Sequence, residues 1–293
     1  MRRIMTALGL AFALALTGGA NAQAITGNFT PDFEHTYVGL IAFYDEDGEF
    51  VHRCSGSLLT DQVFLTAGHC VTVDDEGTLA ASARIWFEQD AGADYDPVTD
   101  TPASSGYPYT GGVTASTLYS YGFEGLTVPQ TYDVGLVILD EPVTNVYPEI
   151  TEYASLGHAG TLDEYTSDHR GNTASVTVSG YGVSYSNGNP DKTVSYRSRL
   201  QATTFIIGLN STWAGGFNVH LASNPGGGRG GTCFGDSGGP VLVGDTDVVV
   251  AVNSFVTNGA CAGTGYSYRT DQQDVIDWIL EHAGSEAGEI TIV

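Results

Sequence analysis

The sequence is poor in positive charge. Lys and Arg together number ten, Lys192 is the sole lysine, and 34 Asp and Glu bring the formal net charge to −24. Such an acidic chain is ill suited to nucleic acid or to an anionic membrane surface, because both would be repelled. It favours solubility, a monomer, and basic substrates or cations. Cysteine is also scarce. The four residues Cys54, Cys70, Cys233 and Cys261 include no C-x-x-C pair, which argues against a zinc site. Long helical periodicity is nearly absent, the apolar run near the start is too short to span a bilayer comfortably, and no other stretch could span one. No repeat recurs at a fixed period.

What is abundant is Gly, Tyr, Val and Thr, in 293 residues that are 42% hydrophobic. Strand formers and turn formers dominate, so a mostly β fold with a large core is expected, in one domain or two. Residues 1–24 read as a secretory signal. Arg2 and Arg3 give a positive start, an apolar run follows, and Ala20-Asn21-Ala22 or Ala22-Gln23-Ala24 offers the cleavage site. The paired arginines also hint at twin-arginine export. Removing this segment leaves 34 acids against 8 bases, a charge of −26. After export the even number of cysteines suits disulfides, with three pairings open.

Strands are expected at 37–44, 50–59, 63–66, 84–87, 134–139, 176–182, 200–206, 241–243 and 248–252. The residues 143–170 are turn-rich and read as a crossover. The glycines of 226–231 make a loop, not a phosphate cradle, since no strand-to-helix setting surrounds them. Residues 274–282 form the one convincing helix, with Val275, Ile276 and Ile279 on a shared face and Trp278 beside them.

Three motifs carry chemistry. Gly235-Asp236-Ser237-Gly238-Gly239-Pro240 exposes a hydroxyl on a backbone free to bend sharply. The N–H groups of Gly235 and Ser237 can converge there on an oxyanion. Thr66-Ala67-Gly68-His69-Cys70 offers an imidazole suited to proton transfer near neutrality. Asp133, just before the apolar run at 134–139, can accept the second imidazole N–H and set the tautomer. Each has a plainer reading: a glycine turn before a strand, a packed histidine, a turn acid. A lone G-x-S-x-G also fits an α/β-hydrolase elbow. There the order is Ser, acid, His and a helix follows, whereas here the order is His69, Asp133, Ser237 and a strand follows.

From residue 25 to about 282 the chain resembles the chymotrypsin/trypsin-like serine proteases. The resemblance rests on TAGHC at 66–70, YDVGLVIL at 132–139, GDSGGP at 235–240 and the final helix. It implies two antiparallel six-stranded β-barrels, at about 25–145 and 146–283, with the active site between them, then an acidic tail at 284–293. It implies a secreted endopeptidase acting through Ser237, His69 and Asp133, with an oxyanion hole at Gly235 and Ser237. Ser254 would support Asp133. Cys54 would pair with Cys70, and Cys233 with Cys261; each closes a loop of roughly 17 to 29 residues and contributes on the order of 3 kcal/mol. Substrates would be proteins or peptides, and protein inhibitors are expected partners. A silent binding protein on the same fold and an esterase are the rival readings.

Ile25-Thr26-Gly27 resembles the family's mature start, whose new amine would pair with Asp236. Cleavage after Ala24 by the export peptidase would expose it; a cut after Ala22 would leave two residues to trim. By the same resemblance Gly231 falls at the floor of the substrate pocket, with Thr232, Ser254, Phe255 and Val256 around it. No acid stands at the floor and Val256 narrows a wall, so small or medium apolar side chains are expected rather than Lys or Arg; a wide pocket for aromatics is the alternative. No cofactor is expected. Glu88, Asp90, Asp94 and Asp96 read either as a solvated acidic loop or as a Ca²⁺ site. Asn28 and Asn210 stand in glycosylation sequons.

Overall fold

The computed structural model describes residues 25–91, 111–168, 174–185, 193–195, 197–224 and 228–293. The signal segment, Asp94 and Asp96 lie outside them. No helix among the described residues is long and apolar enough to cross a membrane.

Nearly every expected strand is present, and they form two barrels. In the first, Val38–Tyr44 is an interior strand, buried on both faces. It pairs with Phe50–Leu58 on one side and Ser82–Trp86 on the other. The sheet continues through Val63–Thr66 and Gly135–Ile138. Val113–Ala115 and Thr117–Ser120 lie at its two edges, one residue apart in the chain, so the barrel is nearly closed. These two strands fall in a stretch that looks like polar loop in the sequence. They pair by backbone, and only alternate positions such as Val113, Ala115 and Leu118 point inward.

The second barrel closes fully. Ser175–Gly180, Leu200–Gly208, Asn218–Ser223, Gly263–Arg269, Val248–Val256 and Pro240–Val243 pair in a ring. Leu200–Gly208 alternates buried and partly exposed residues, so one face fills the barrel and the other meets solvent. The core of this barrel gathers Val176, Val178, Leu200, Val241, Val250 and Ile25. Each such side chain contributes about 1.5–3 kcal/mol by leaving water.

The final helix is Gln273–Ala283, and Val275, Ile276 and Ile279 are its buried face. Trp278 packs against Tyr121 at 5.3 Å and His282 at 4.7 Å. A second helix, Thr161–Asp168, stands where only a crossover was expected. Leu162 is its one fully buried apolar side chain, so no periodicity betrays it. It is held from outside: Asp271 accepts the Leu162 N–H at 2.8 Å, and Arg269 reaches both Asp271 and Asp163. The acidic tail is built into the fold as well. Leu156 donates to Thr291 at 2.9 Å and accepts from Val293 at 2.9 Å, and Ile290 is buried.

A buried ion pair anchors the entering segment. The Asp32 carboxylate accepts from His35 Nδ1 at 2.9 Å and from Ser179 Oγ at 2.5 Å. Burial opposes its ionisation, yet His35 and Ser179 prevail and hold the carboxyl at about 2. Burial likewise opposes protonation of His35, but Asp32 raises it above its ordinary value. The raised histidine contributes stability in full below its unfolded value, and this is lost as pH rises through the folded one. The melting temperature of wild type is therefore expected to fall across that window. His35→Gln should flatten the slope, and His35→Ala should cost about 3 kcal/mol by stranding the Asp32 charge. A melting curve with the same pH slope in His35→Gln and wild type would refute the assignment.

Candidate active site

The seam between the barrels brings the three motifs together. Val63–Thr66 ends at Ala67, and a single helical turn, Gly68–Val71, carries His69. Gly68 is required there, because a Cβ would lie 2.8 Å from Phe123 Cβ and 3.2 Å from Tyr132 O and Val134 N. The turn thus packs onto the backbone that bears Asp133. Tyr132 takes φ 50° to turn that carboxylate inward. Cys54 bonds to Cys70, tying the histidine turn to the neighbouring strand.

Asp133 is fully buried. Its Oδ1 accepts the His69 N–H at 2.8 Å, its Oδ2 accepts from His69 Nδ1 at 2.9 Å, and Ser254 Oγ donates to the same Oδ2. Burial opposes ionisation, but His69 and Ser254 outweigh it, and the carboxyl lies below its usual range. For His69 burial opposes protonation, and Asp133 outweighs that, so its value is raised. With Nδ1–H committed to Asp133, Nε2 is the nitrogen left for the cleft. Ser254 reaches Asp133 because the pairing of Val248–Val256 with Gly263–Arg269 shifts register between Asn253 and Phe255. The extra residue in that bulge re-aims its hydroxyl at the seam.

The Ser237 turn is pinned from both barrels. Ser55 N–H donates to Ser237 O at 2.8 Å, and Gly238 N–H donates to Asn253 O at 2.7 Å. A Cβ on Gly238, at φ 78°, would fall 2.5 Å from Ser55 O, so the two barrels meet there with no room for a side chain. Ser237 and His69 line one cleft of about 240 Å³. Among the described residues, no protein acceptor takes the N–H of Gly235 or of Ser237.

Thr232, Ser254, Phe255 and Val256 line this cleft. Gly231 does not. It pairs with Thr26, and a Cβ on it would meet Ser223 Oγ at 2.3 Å, so Ser223 fills the space behind it. Cys233 bonds to Cys261 beside the cleft. Leu126 and Phe234 also line it, about half exposed, and were missed by sequence reasoning. Phe234 adjoins the Ser237 motif, which was its one available signal. Phe255 stacks on Tyr266 at 4.9 Å, and Tyr266 on His220 at 4.5 Å, so one wall of the cleft is rigidly backed.

Asp236 points away from the cleft, fully buried. It accepts from Gly182 N–H at 2.7 Å and Cys233 N–H at 2.8 Å. Burial pushes it up to about 7, with those two bonds and the charge of Arg53 opposing. Ile25 is fully buried in the second-barrel core, and Thr26 pairs with Gly231. In the acidic loop, the Glu88 carboxylate accepts from Tyr147 OH at 3.0 Å, and Asp90 bridges to Ser198.

The Trypsin family profile matches residues 26–279. The chain belongs to the trypsin family. It is a serine endopeptidase, a hydrolase acting on proteins or peptides. Among curated relatives, fibrinolytic enzyme isozyme C of Lumbricus rubellus is 25% identical over 252 residues, covering 81% of this chain and 91% of that one. CLIP domain-containing serine protease B10 of Anopheles gambiae is 29% identical over 131 residues, covering 42% of this chain; the chain spans only 34% of that relative's length. Among solved structures, HL collagenase superposes with a TM-score of 0.59 at 20% identity, covering 88% of this chain and 97% of that one, a likeness of fold.

The charge on Asp133 is what raises His69. In Asp133→Asn burial alone acts on the ring, so its titration, followed by NMR, is expected to move to lower pH. An unchanged His69 titration would show that the pair does not govern the imidazole.

Proposed function

We propose that this trypsin-family chain cleaves peptide bonds through Ser237, with His69 as base and Asp133 as its orienting partner. The observation that carries this reading is the bonded chain Ser254–Asp133–His69 running to a cleft that also holds Ser237. Ser237 Oγ attacks the scissile carbonyl carbon while its proton passes to His69 Nε2. The carbonyl π electrons move to oxygen, and the N–H groups of Gly235 and Ser237 receive the oxyanion. Collapse of that intermediate expels the amine, which takes the proton from His69, and leaves an ester on Ser237. Water, deprotonated by His69, repeats the sequence and releases the acid.

The disulfides and the segment 1–24 support export to an oxidising compartment. Cleavage before Ile25 would free an amine to pair with the buried Asp236 carboxyl. For the first recess, the described lining residues of the Ser237 cleft include no carboxylate, and Val256 and Phe234 make it apolar. This favours small or medium apolar side chains before the scissile bond.

Two measurements test this. Intact mass before and after a fluorophosphonate should show one adduct on the mature protein and none on Ser237→Ala, with a mature start at Ile25. A mature, unlabelled protein would favour a silent binding protein. In a peptide-amide library, kcat/KM for Ala, Val or Leu before the scissile bond should exceed that for Lys or Arg by at least about tenfold. A preference for Lys or Arg would overturn the pocket reading.

A further inference from the structure

Arg53 stands next to Cys54 on the strand Phe50–Leu58, and nothing in the motifs singles it out. The structure places it against the turn that bears Ser237. Arg53 and Ser55, two positions apart, share one face of their strand. Ser55 Oγ donates to Gly235 O at 2.8 Å and accepts the Tyr181 N–H at 2.9 Å. Arg53 Nη1 donates to Tyr181 O at 2.7 Å. Both polar groups of the Tyr181 backbone are therefore held from the same strand face.

The guanidinium also covers Gly235. A Cβ on Gly235 would lie 2.6 Å from Nη1, 2.8 Å from Cζ and 2.9 Å from Nη2 of Arg53. Three nearly equal distances mean that the planar group faces Gly235 broadly. Gly235 has φ 94°, a conformation open to glycine but costly for other residues. A glycine held so also has many other conformations to fall into, so something must keep it there. The next residue after Tyr181, Gly182, donates to Asp236, which completes a ring of contacts from Arg53 through Tyr181 and Gly182 to Asp236 and Gly235.

We propose that Arg53 is a positioning residue for the oxyanion turn, clamping Gly235 against Tyr181 and supplying a positive charge to the buried Asp236 carboxylate. This rests on the reading that the N–H groups of Gly235 and Ser237 receive the oxyanion. A planar, permanently charged fork suits both tasks, since one nitrogen binds a carbonyl while the face lies on a glycine. The groups facing Asp236 are Arg53 from its strand, the Gly182 N–H from the 181–183 segment and the Cys233 N–H from its own loop. After cleavage the Ile25 amine would join them. His69 is governed by burial and Asp133, so its own titration is left in place when Arg53 changes.

The test uses the purified mature enzyme, with kcat and KM for a peptide amide measured across the acid and alkaline limbs. Arg53→Met is expected to lower kcat about 10- to 100-fold, since an oxyanion donor is misplaced rather than deleted. KM should stay within about threefold, because ground-state contacts are untouched. Without the cation Asp236 is protonated at higher pH and holds its two N–H partners more weakly, so the acid limb should move to higher pH. Arg53→Lys keeps the charge without the fork; it should hold the acid limb in place and recover part of kcat. Should Arg53→Met fail to fold, Arg53→Gln, which keeps a donor for Tyr181 but no charge, must still move the limb. An Arg53→Met or Arg53→Gln enzyme with unaltered kcat and limb overturns the proposal. So does equal impairment of the Lys and Met variants with the limb unmoved, which is the signature of packing alone. Fluorophosphonate labelling separates the two levels: a wild-type enzyme without an adduct at Ser237 defeats the site reading. A labelled wild type with indifferent Arg53 variants defeats only the role of Arg53.

Discussion

A carboxylate sealed from water at the seam of two barrels governs this structure. Asp133 is buried among apolar neighbours, where a bare charge is strongly disfavoured, and it is tolerated because backbone and side chains converge on it. Meeting its needs orders much of the seam. The histidine turn must approach closely enough to donate both a backbone and a ring N–H. The strand of the second barrel must bulge to deliver Ser254. Each of these local adjustments also shapes the cleft, so satisfying one buried charge and bringing His69 to the cleft that Ser237 lines are a single packing problem.

The turn that bears Ser237 meets the seam by a different means, the absence of side chains. Gly238 lies too close to Ser55 and Thr66 for a Cβ, and Gly239 too close to Ser179. These contacts let backbone from one barrel hydrogen-bond to backbone of the other, as Ser55 does to Ser237. Rigid placement of a small hydroxyl follows from the density of the contacts around it rather than from any bond to the hydroxyl itself.

The chain's shortage of basic residues makes the placement of each arginine informative. Arg269 binds Asp271 and Asp163 and so joins a barrel strand to the crossover helix. Arg199, almost fully buried, donates to the carbonyls of Asp32, Val38 and Phe87 and links the two barrels. Arg53 crosses the seam in the opposite direction, from the first barrel to Tyr181 and the turn at Gly235. Buried carbonyls and carboxylates need strong donors, and a guanidinium supplies several from one side chain. Three arginines used this way act as internal fasteners.

The sequence by itself determined the strand inventory wherever apolar runs were continuous, as at Val38–Tyr44 and Gly135–Ile138, because a run buried on both faces declares itself without its partners. It determined the family through TAGHC, YDVGLVIL and GDSGGP, since residue types and order are local facts. The final helix was legible from its spacing of Val275, Ile276 and Ile279. Tertiary structure decided what depends on remote partners. The helix Thr161–Asp168 exists through Asp271 and Arg269, and the acidic tail is ordered by pairing with Leu156. Val113–Ala115 and Thr117–Ser120 are strands because a barrel needed closing. Ser223 fills the space behind Gly231 once their strands pack, and Arg53 lies on Gly235 only once the two barrels meet. Local chemistry is written along the chain. The distances at which remote groups oppose, neutralise or exclude one another are set only by packing.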